Sequence, residues 1–317
     1  MAHPVRGSLL LSLALWLAGQ AAADDARLYP EKSFTLEDGM RIVYVDSGDG
    51  FPIVFVHGLL ADHRQWYHNF PYFDGRYRVI GIDLPGHGGS AKVEGYDYSV
   101  PNLSRALVAL LDHLGVAKAV LVGNSLGGHV SLYTALAYSD RVERLVLVDP
   151  AGVRLGEMEH AVISLAERID PLRLYPGATV GQFLARAVIA RNLSSPIVDA
   201  YTRDLETLAT DDAARRLTQE VFVSCLHSVE KDHLSGRLGE IGAKTLIVWG
   251  ARDFIIRPKY ARELHRQIPN SELEIFEHTG HVPSVEKPEA FNGRVERFLE
   301  GLPETTTAGG VPQTAGR

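Results

Sequence analysis

The sequence predicts an α/β fold built on a mostly parallel, eight-stranded sheet with helices on both faces, and three features carry that expectation. Short β-branched runs alternate with longer helical segments, the order produced when strands are joined by crossover helices. The inner runs IVFV, AVLV, LVLV and LIVW are apolar without alternation, as strands covered on both faces must be. Asp38-Gly39 separates the first two runs, a hairpin signal that opens the sheet with an antiparallel edge.

Taken in order, the first 23 residues stand apart from the fold. Arg6 precedes an uncharged stretch whose apolar heart is Leu9–Ala18, and Ala21-Ala22-Ala23 before Asp24 supplies a small-residue cleavage site. This reads as a secretory signal peptide, short for a bilayer span that needs about 20 apolar residues; an uncleaved N-terminal anchor is the competing reading. Strands are expected at Ser33–Leu36, Arg41–Asp46, Ile53–His57, Val79–Asp83, Ala119–Gly123, Arg144–Asp149, Thr245–Gly250 and Glu272–Glu277. Helices are expected at Val100–Leu114, Leu126–Tyr138, Pro258–Gln267 and Pro288–Leu299, with Pro258 and Pro288 as first-turn residues.

Between Ala151 and Ile241 the alternation stops. Apolar residues recur there at helical spacing in Met158–Ile169, Phe183–Ile189, Val198–Leu208 and Leu217–Val229. A structureless loop of that length is implausible, so residues 151–240 read as a helical lid inserted over the C-terminal edge of a core made of residues 24–150 and 241–300. The tail, residues 301–317, is rich in Thr, Gly and Pro, lacks periodicity and reads as disordered.

Composition narrows the function classes. With 45% hydrophobic and 22% charged residues, the chain is neither disordered, collagen-like nor a polytopic membrane protein. A net charge of −7 and no long basic run give no electrostatic case for a nucleic-acid partner. The lone cysteine, Cys225 in VFVSCL, excludes an intramolecular disulfide framework and a multi-cysteine metal site, and reads as a buried small hydrophobe.

Chemistry enters at Gly123-Asn124-Ser125-Leu126-Gly127-Gly128, which fits G-x-S-x-G between a strand and a helix. A turn that tight strains its central residue outward and needs flanking residues without side chains. Ser125 would sit at a helix N-terminus, whose N–H groups favour an adjacent oxyanion. A serine hydroxyl needs a base within hydrogen-bond reach and the base an orienting acid. Of thirteen histidines, His281 follows the last strand at the edge where Ser125 lies, with His278 as its near rival. Asp253 in WGARD lies just beyond the seventh strand; it would serve as the acid, or else cap the following turn. The order Ser125, Asp253, His281 is the one expected of such a fold.

With FVHGLL, DLPGHGGS, GNSLGG, WGARD and HTGHVPSVEKPEAF in place, the chain resembles the α/β-hydrolase family over nearly all of residues 28–300. The leader together with GNSLGGHV and VDPAGV makes it similar to secreted or membrane-attached bacterial lipases and esterases of the family V type, including lysophospholipase and phospholipase A enzymes. The resemblance implies an oxyanion hole formed by the backbone N–H groups of Leu59 and Leu126. It also implies supporting roles for His57 and Asn124, with an ordinary polar group as the alternative reading of each. Aspartate-nucleophile chemistry is not expected, because the elbow carries Ser125. No metal or cofactor is expected, since HExxH, CxxC and the Walker lysine are absent.

These readings together predict a serine-triad carboxylic ester hydrolase acting on a small-molecule or lipid ester with an apolar acyl chain. It would be periplasmic or secreted, or else anchored to the membrane. A carbon–carbon bond hydrolase of the meta-cleavage type would use the same three residues, and a non-catalytic binding protein would show a broken triad.

Overall fold

The computed structural model describes residues 29–157, 160, 204, 208 and 210–302. The expected leader, the tail beyond residue 302 and the helices expected at Phe183–Ile189, Met158–Ile169 and Val198–Leu208 lie outside the described residues, apart from the isolated positions 160, 204 and 208.

Eight strands form one sheet: β1 (Lys32–Thr35), β2 (Arg41–Ser47), β3 (Phe51–Val56), β4 (Tyr77–Ile82), β5 (Ala119–Asn124), β6 (Val142–Val148), β7 (Lys244–Gly250) and β8 (Ser271–Phe276). Their spatial order is β1-β2-β4-β3-β5-β6-β7-β8. The β1–β2 and β2–β4 pairs are antiparallel, and β3 onward is parallel. The helices among the described residues are α1 (Phe70–Phe73), α2 (Val100–His113), α3 (Leu126–Ala137), α4 (Asp212–Lys231), α5 (Lys259–Gln267), α6 (Pro283–Glu286) and α7 (Pro288–Leu299).

The unalternating strands divide their side chains between two cores. Val54, Val56, Leu121, Leu145, Leu147, Ile247 and Trp249 pack on the side of α2, α3 and α5. Ile53, Phe55, Val120, Val122, Val146, Val148, Leu246 and Val248 pack with Trp66, Phe70, Phe73 and Phe291 on the other. Period-two geometry sends neighbours to opposite faces, so a strand apolar at every position fills both. Each side chain buried this way contributes about 1.5–3 kcal/mol of transfer free energy.

Among the described residues, five short elements escaped the sequence reading: 3-10 turns at His63–Trp66, Ser139–Arg141 and Leu238–Glu240, and the helices α1 and α6. Each is one turn long and carries no full period to detect. Pro258 caps α5 from outside instead of beginning it, whereas Pro288 is the first residue of α7. The last expected insertion helix is longer than its apolar stripe, because Asp211 accepts N–H bonds from Ala213 and Ala214 and starts α4 one and a half turns early. This helix lies beside the loops that leave the sheet after β4: Ser228 Oγ accepts from the N–H of Val100 at 2.7 Å, and Cys225 is fully buried against Tyr98. Burial drives the Cys225 thiol strongly toward its neutral form.

Candidate active site

Every residue assigned to chemistry by the sequence reading lies at the C-terminal edge of the parallel strands, where open α/β sheets bind ligands. Ser125 occupies the turn between β5 and α3 with φ 53° and ψ −113°. That conformation is costly for any residue with a Cβ, by about 1–3 kcal/mol, and is kept only where the surroundings enforce it. The enforcement is visible. Ser125 N–H donates to Val148 O at 3.0 Å, and Ser125 O accepts from Ala151 N–H at 3.0 Å. A Cβ on Gly123 would overlap the carbonyl of Gly127, and one on Gly127 would overlap the carbonyls of Val56 and His57. The two motif glycines therefore let strand, helix and the neighbouring loop approach backbone to backbone.

His281 and Asp253 meet across the edge. Nδ1 of His281 lies 2.7 Å from Oδ2 of Asp253, and both side chains are buried. Asp253 Oδ1 accepts the N–H groups of Ile255 and Ile256 at 2.8 and 3.1 Å, and that turn is tied down by Trp249 Nε1–H donating to Ile256 O at 3.0 Å. A carboxylate so placed fixes the tautomer with the proton on Nδ1 and leaves Nε2 as the basic nitrogen. A Cβ on Gly250 would overlap the carbonyl of Gly280, so the β7 end and the histidine loop come this close only with glycine at position 250. His278, by contrast, is exposed in a left-handed conformation (φ 59°).

A buried polar relay binds these loops together. Gln65 Oε1 accepts Gly58 N–H at 3.0 Å, and Gln65 Nε2 donates to Asn124 Oδ1 at 2.9 Å. Asn124 Nδ2 in turn donates to Val148 O at 3.0 Å and to His281 O at 3.1 Å. Asn124 thus joins the nucleophile turn to the histidine loop, and Gln65 joins both to the loop carrying Leu59. A Cβ on Gly58 would lie 3.1 Å from Asn124 Oδ1 and 3.5 Å from Ser125 Cβ, so the backbone at Gly58 runs beside the serine. Leu126, as the first residue of α3, has an N–H with no helical acceptor. The Gly58 backbone and the first turn of α3 thus flank Ser125.

His57 is a staple between loops. Its Nδ1–H donates to Gly58 O at 2.7 Å, and its Nε2 accepts Leu84 N–H at 3.0 Å. Burial pushes its pKa down, which suits a ring needed as an acceptor. A second titratable cluster joins the same loops: His63 Nδ1 lies 2.8 Å from Asp83 Oδ1, Asp83 Oδ2 accepts Gly89 N–H, and Asp62 is engaged by Arg64. Among the described residues, this cluster and the group Asp149, Asp253 and His281 are the two sets with metal-ligand composition. In both, the donors and acceptors are largely committed to one another.

Sequence reasoning missed Gln65 and Asp149. Gln65 carries no motif and is recognised only by its partners. Asp149 had a usable signal, an acid at the end of β6 on the edge that holds Ser125 and Asp253.

Comparison with known proteins matches residues 52–288 to the model of the alpha/beta hydrolase fold. The chain belongs to that family. A 2-hydroxy-6-oxononadienedioate/2-hydroxy-6-oxononatrienedioate hydrolase of Escherichia coli (strain K12 / DH10B) is 34% identical over 269 residues, covering 82% of this chain and 91% of the relative. Among solved structures, a membrane phospholipase A described as a bacterial virulence factor superposes with a TM-score of 0.76 at 27% identity, covering 93% of this chain and 98% of that one. A meta-cleavage product hydrolase from Pseudomonas fluorescens IP01 gives a TM-score of 0.72 at 26% identity, over 84% and 97%. Membership of this hydrolase family, with hydrolases among the relatives, makes the protein an enzyme of hydrolytic type acting on small molecules.

Proposed function

We propose that the protein is a serine-triad carboxylic ester hydrolase that acts through an acyl-enzyme on esters with an apolar acyl chain, of the esterase, lipase or lysophospholipase kind. The observation that carries this reading is the apolar surface beside the triad. Leu60, next to the Leu59 donor, is 39% exposed, and Phe254 and Ile255, directly after Asp253, are 58% and 42% exposed. Large side chains of that type left facing solvent at a reactive edge suit an acyl chain more than a charged substrate.

In this reading His281 Nε2 takes the Ser125 proton as the oxygen attacks the ester carbonyl, and Asp253 stabilises the imidazolium. The N–H groups of Leu59 and Leu126 receive the developing oxyanion. His281 then protonates the leaving alcohol, and a water activated by the same nitrogen releases the acid. The apolar leader supports work outside the cytoplasm, by secretion or by anchoring to a membrane, where lipid esters are at hand.

A carbon–carbon hydrolase is the second reading, and it is favoured by the names of the relatives at 33–34% identity. A hydrolysis profile separates the two. Turnover of short and long p-nitrophenyl esters and lysophospholipids, without cleavage of a 2-hydroxy-6-oxo-dienoate, is the expected result. Cleavage of the dienoate with ester turnover a thousandfold weaker would overturn it.

A further inference from the structure

Asp149 sits at the C-terminal end of β6, fully buried, in a left-handed conformation with φ 44°. Its backbone and side chain lock it to β7: Asp149 N–H donates to Val248 O at 3.0 Å, and Asp149 Oδ1 accepts Gly250 N–H at 2.9 Å. Oδ2 of Asp149 is buried and has no hydrogen-bond donor of its own. What lies beside it is another acceptor set, since ligand atoms of Asp149, Asp253 and His281 fall within 4.8 Å of one another. The oxygens of Asp253 are already taken by the ring N–H of His281 and the N–H groups of Ile255 and Ile256. Two buried carboxyl groups that face each other cannot both ionise at reasonable cost; one proton shared between them relieves the repulsion and supplies the missing donor.

We propose that Asp149 is a positioning residue of the hydrolytic site, holding a proton on Oδ2 and donating it in a hydrogen bond to the carboxylate of Asp253. The inference rests on the reading of Asp253 and His281 as acid and base. Of the two carboxyls, Asp149 is the one to hold the proton, because Asp253 has three N–H donors that favour its charged form and Asp149 has one. Burial, with the nearby charge of Asp253 second, raises the pKa of Asp149 well above the carboxylate range. Glu286, whose carboxylate accepts Gly280 N–H at 2.9 and 3.0 Å, adds a third acid facing the same group and acts in the same direction.

The consequence is a tuned base. A neutral donor on Asp253 withdraws some of the negative charge that would otherwise stabilise the His281 imidazolium, and it restrains Asp253 against rotation. Removing the donor strengthens Asp253 as a partner for the charged imidazole, so the base is protonated to higher pH.

Two variants and one spectrum test this. Asp149→Leu, an apolar side chain of similar size, should move the acidic limb of the kcat/KM profile up by about one pH unit and lower kcat about tenfold. Asp149→Asn keeps an acceptor for Gly250 N–H and a donor for Asp253, so it should hold the limb in place and recover most of the lost kcat. If Asp149 were instead ionised, Asp149→Asn would remove a negative charge and move the limb down, which would overturn the proposal. An Asp149→Leu variant with an unmoved limb would overturn it as well. Infrared difference spectroscopy of wild type against Asp149→Asn reads the proton without any substrate. A carboxylic-acid carbonyl band at neutral pH, absent from the variant, is expected, and its absence from the wild type would refute the proposal even if ester hydrolysis were confirmed. The band can persist when the ester reading fails, so the two outcomes are distinguishable, and it remains readable if Asp149→Leu does not fold.

Discussion

Replacing Gln65 with leucine tests whether the loops around Ser125 are held as one unit. The leucine preserves bulk in a buried position but leaves two polar groups without partners, the N–H of Gly58 and Oδ1 of Asn124. Each buried orphan costs about 1–3 kcal/mol, so unfolding free energy should fall by about 2–6 kcal/mol. The kinetic effect follows from the Gly58-Leu59 backbone, which is then free to turn the Leu59 N–H from the oxyanion position proposed for it. Complete loss of one such donor costs ~10²–10³ in kcat; a loop misplaced without being lost should cost about ten- to a hundredfold, with KM little changed. Gln65→Glu retains the acceptor for Gly58 and sets an acceptor against Asn124, so its losses should be intermediate. Urea unfolding gives the stability, and p-nitrophenyl butyrate turnover in the folded range gives the rate. A Gln65→Leu protein destabilised as predicted but with wild-type kcat would show that the relay is structural alone, and the assigned positioning of Leu59 would be wrong.

Further expectations concern the triad, the acyl chain and acid stability. Ser125→Ala and His281→Ala should each remove nearly all hydrolysis without unfolding the protein, and the double variant should be no slower, because these residues act as a unit; His278→Ala should be close to wild type in ester assays. Phe254→Ala should depress turnover of long-chain esters and spare acetate, about fourfold for each methylene that loses contact, from about 0.8 kcal/mol per CH₂; equal losses on both esters would remove Phe254 from the acyl path. Burial holds His87 at a pKa of about 3 and His129 at about 4, below the unfolded value near 6.5. Stability from these neutral rings is therefore complete above pH 6.5 and declines as pH falls toward 4 and 3, by about 2 kcal/mol for each histidine at pH 5. His63 opposes the trend: despite burial, its hydrogen bond and charge attraction to Asp83 raise its pKa. Urea midpoints measured from pH 7.5 to 5 should fall, and a flat series would contradict the burial of His87 and His129.

The strands were legible because burial on both sheet faces writes itself as unbroken apolar runs, and all eight begin and end within a few residues of where the sequence puts them. The strained turn at Ser125 and the pairing of Asp253 with His281 were legible because such a turn demands glycines at fixed spacing and because both residues follow strands that end on one edge. The relay was not. Gln65 sits in a one-turn helix between His63 and Trp66 with no period and no motif, and its meaning lies wholly in reaching Gly58 on one side and Asn124 on the other. Asp149 was half legible: the sequence shows an acid at a strand end, but its proton is a property of a facing carboxyl supplied a hundred residues later. His57, read as a supporting group or an ordinary polar one, acts as a staple through both ring nitrogens, a distinction that only its two partners decide.

Placing the proposed oxyanion donors on the main chain separates chemistry from preference. Leu59 and Leu126 would offer the same N–H groups under almost any side chain, while Leu60 and Phe254 stand exposed a residue away from the proposed donor and acid. A saturation library at positions 60 and 254 should therefore move substrate selectivity through side chains that bear no share of the bond-breaking step. Position 60 carries one constraint of its own: with φ at 59°, it should accept asparagine or glycine readily and reject valine or isoleucine.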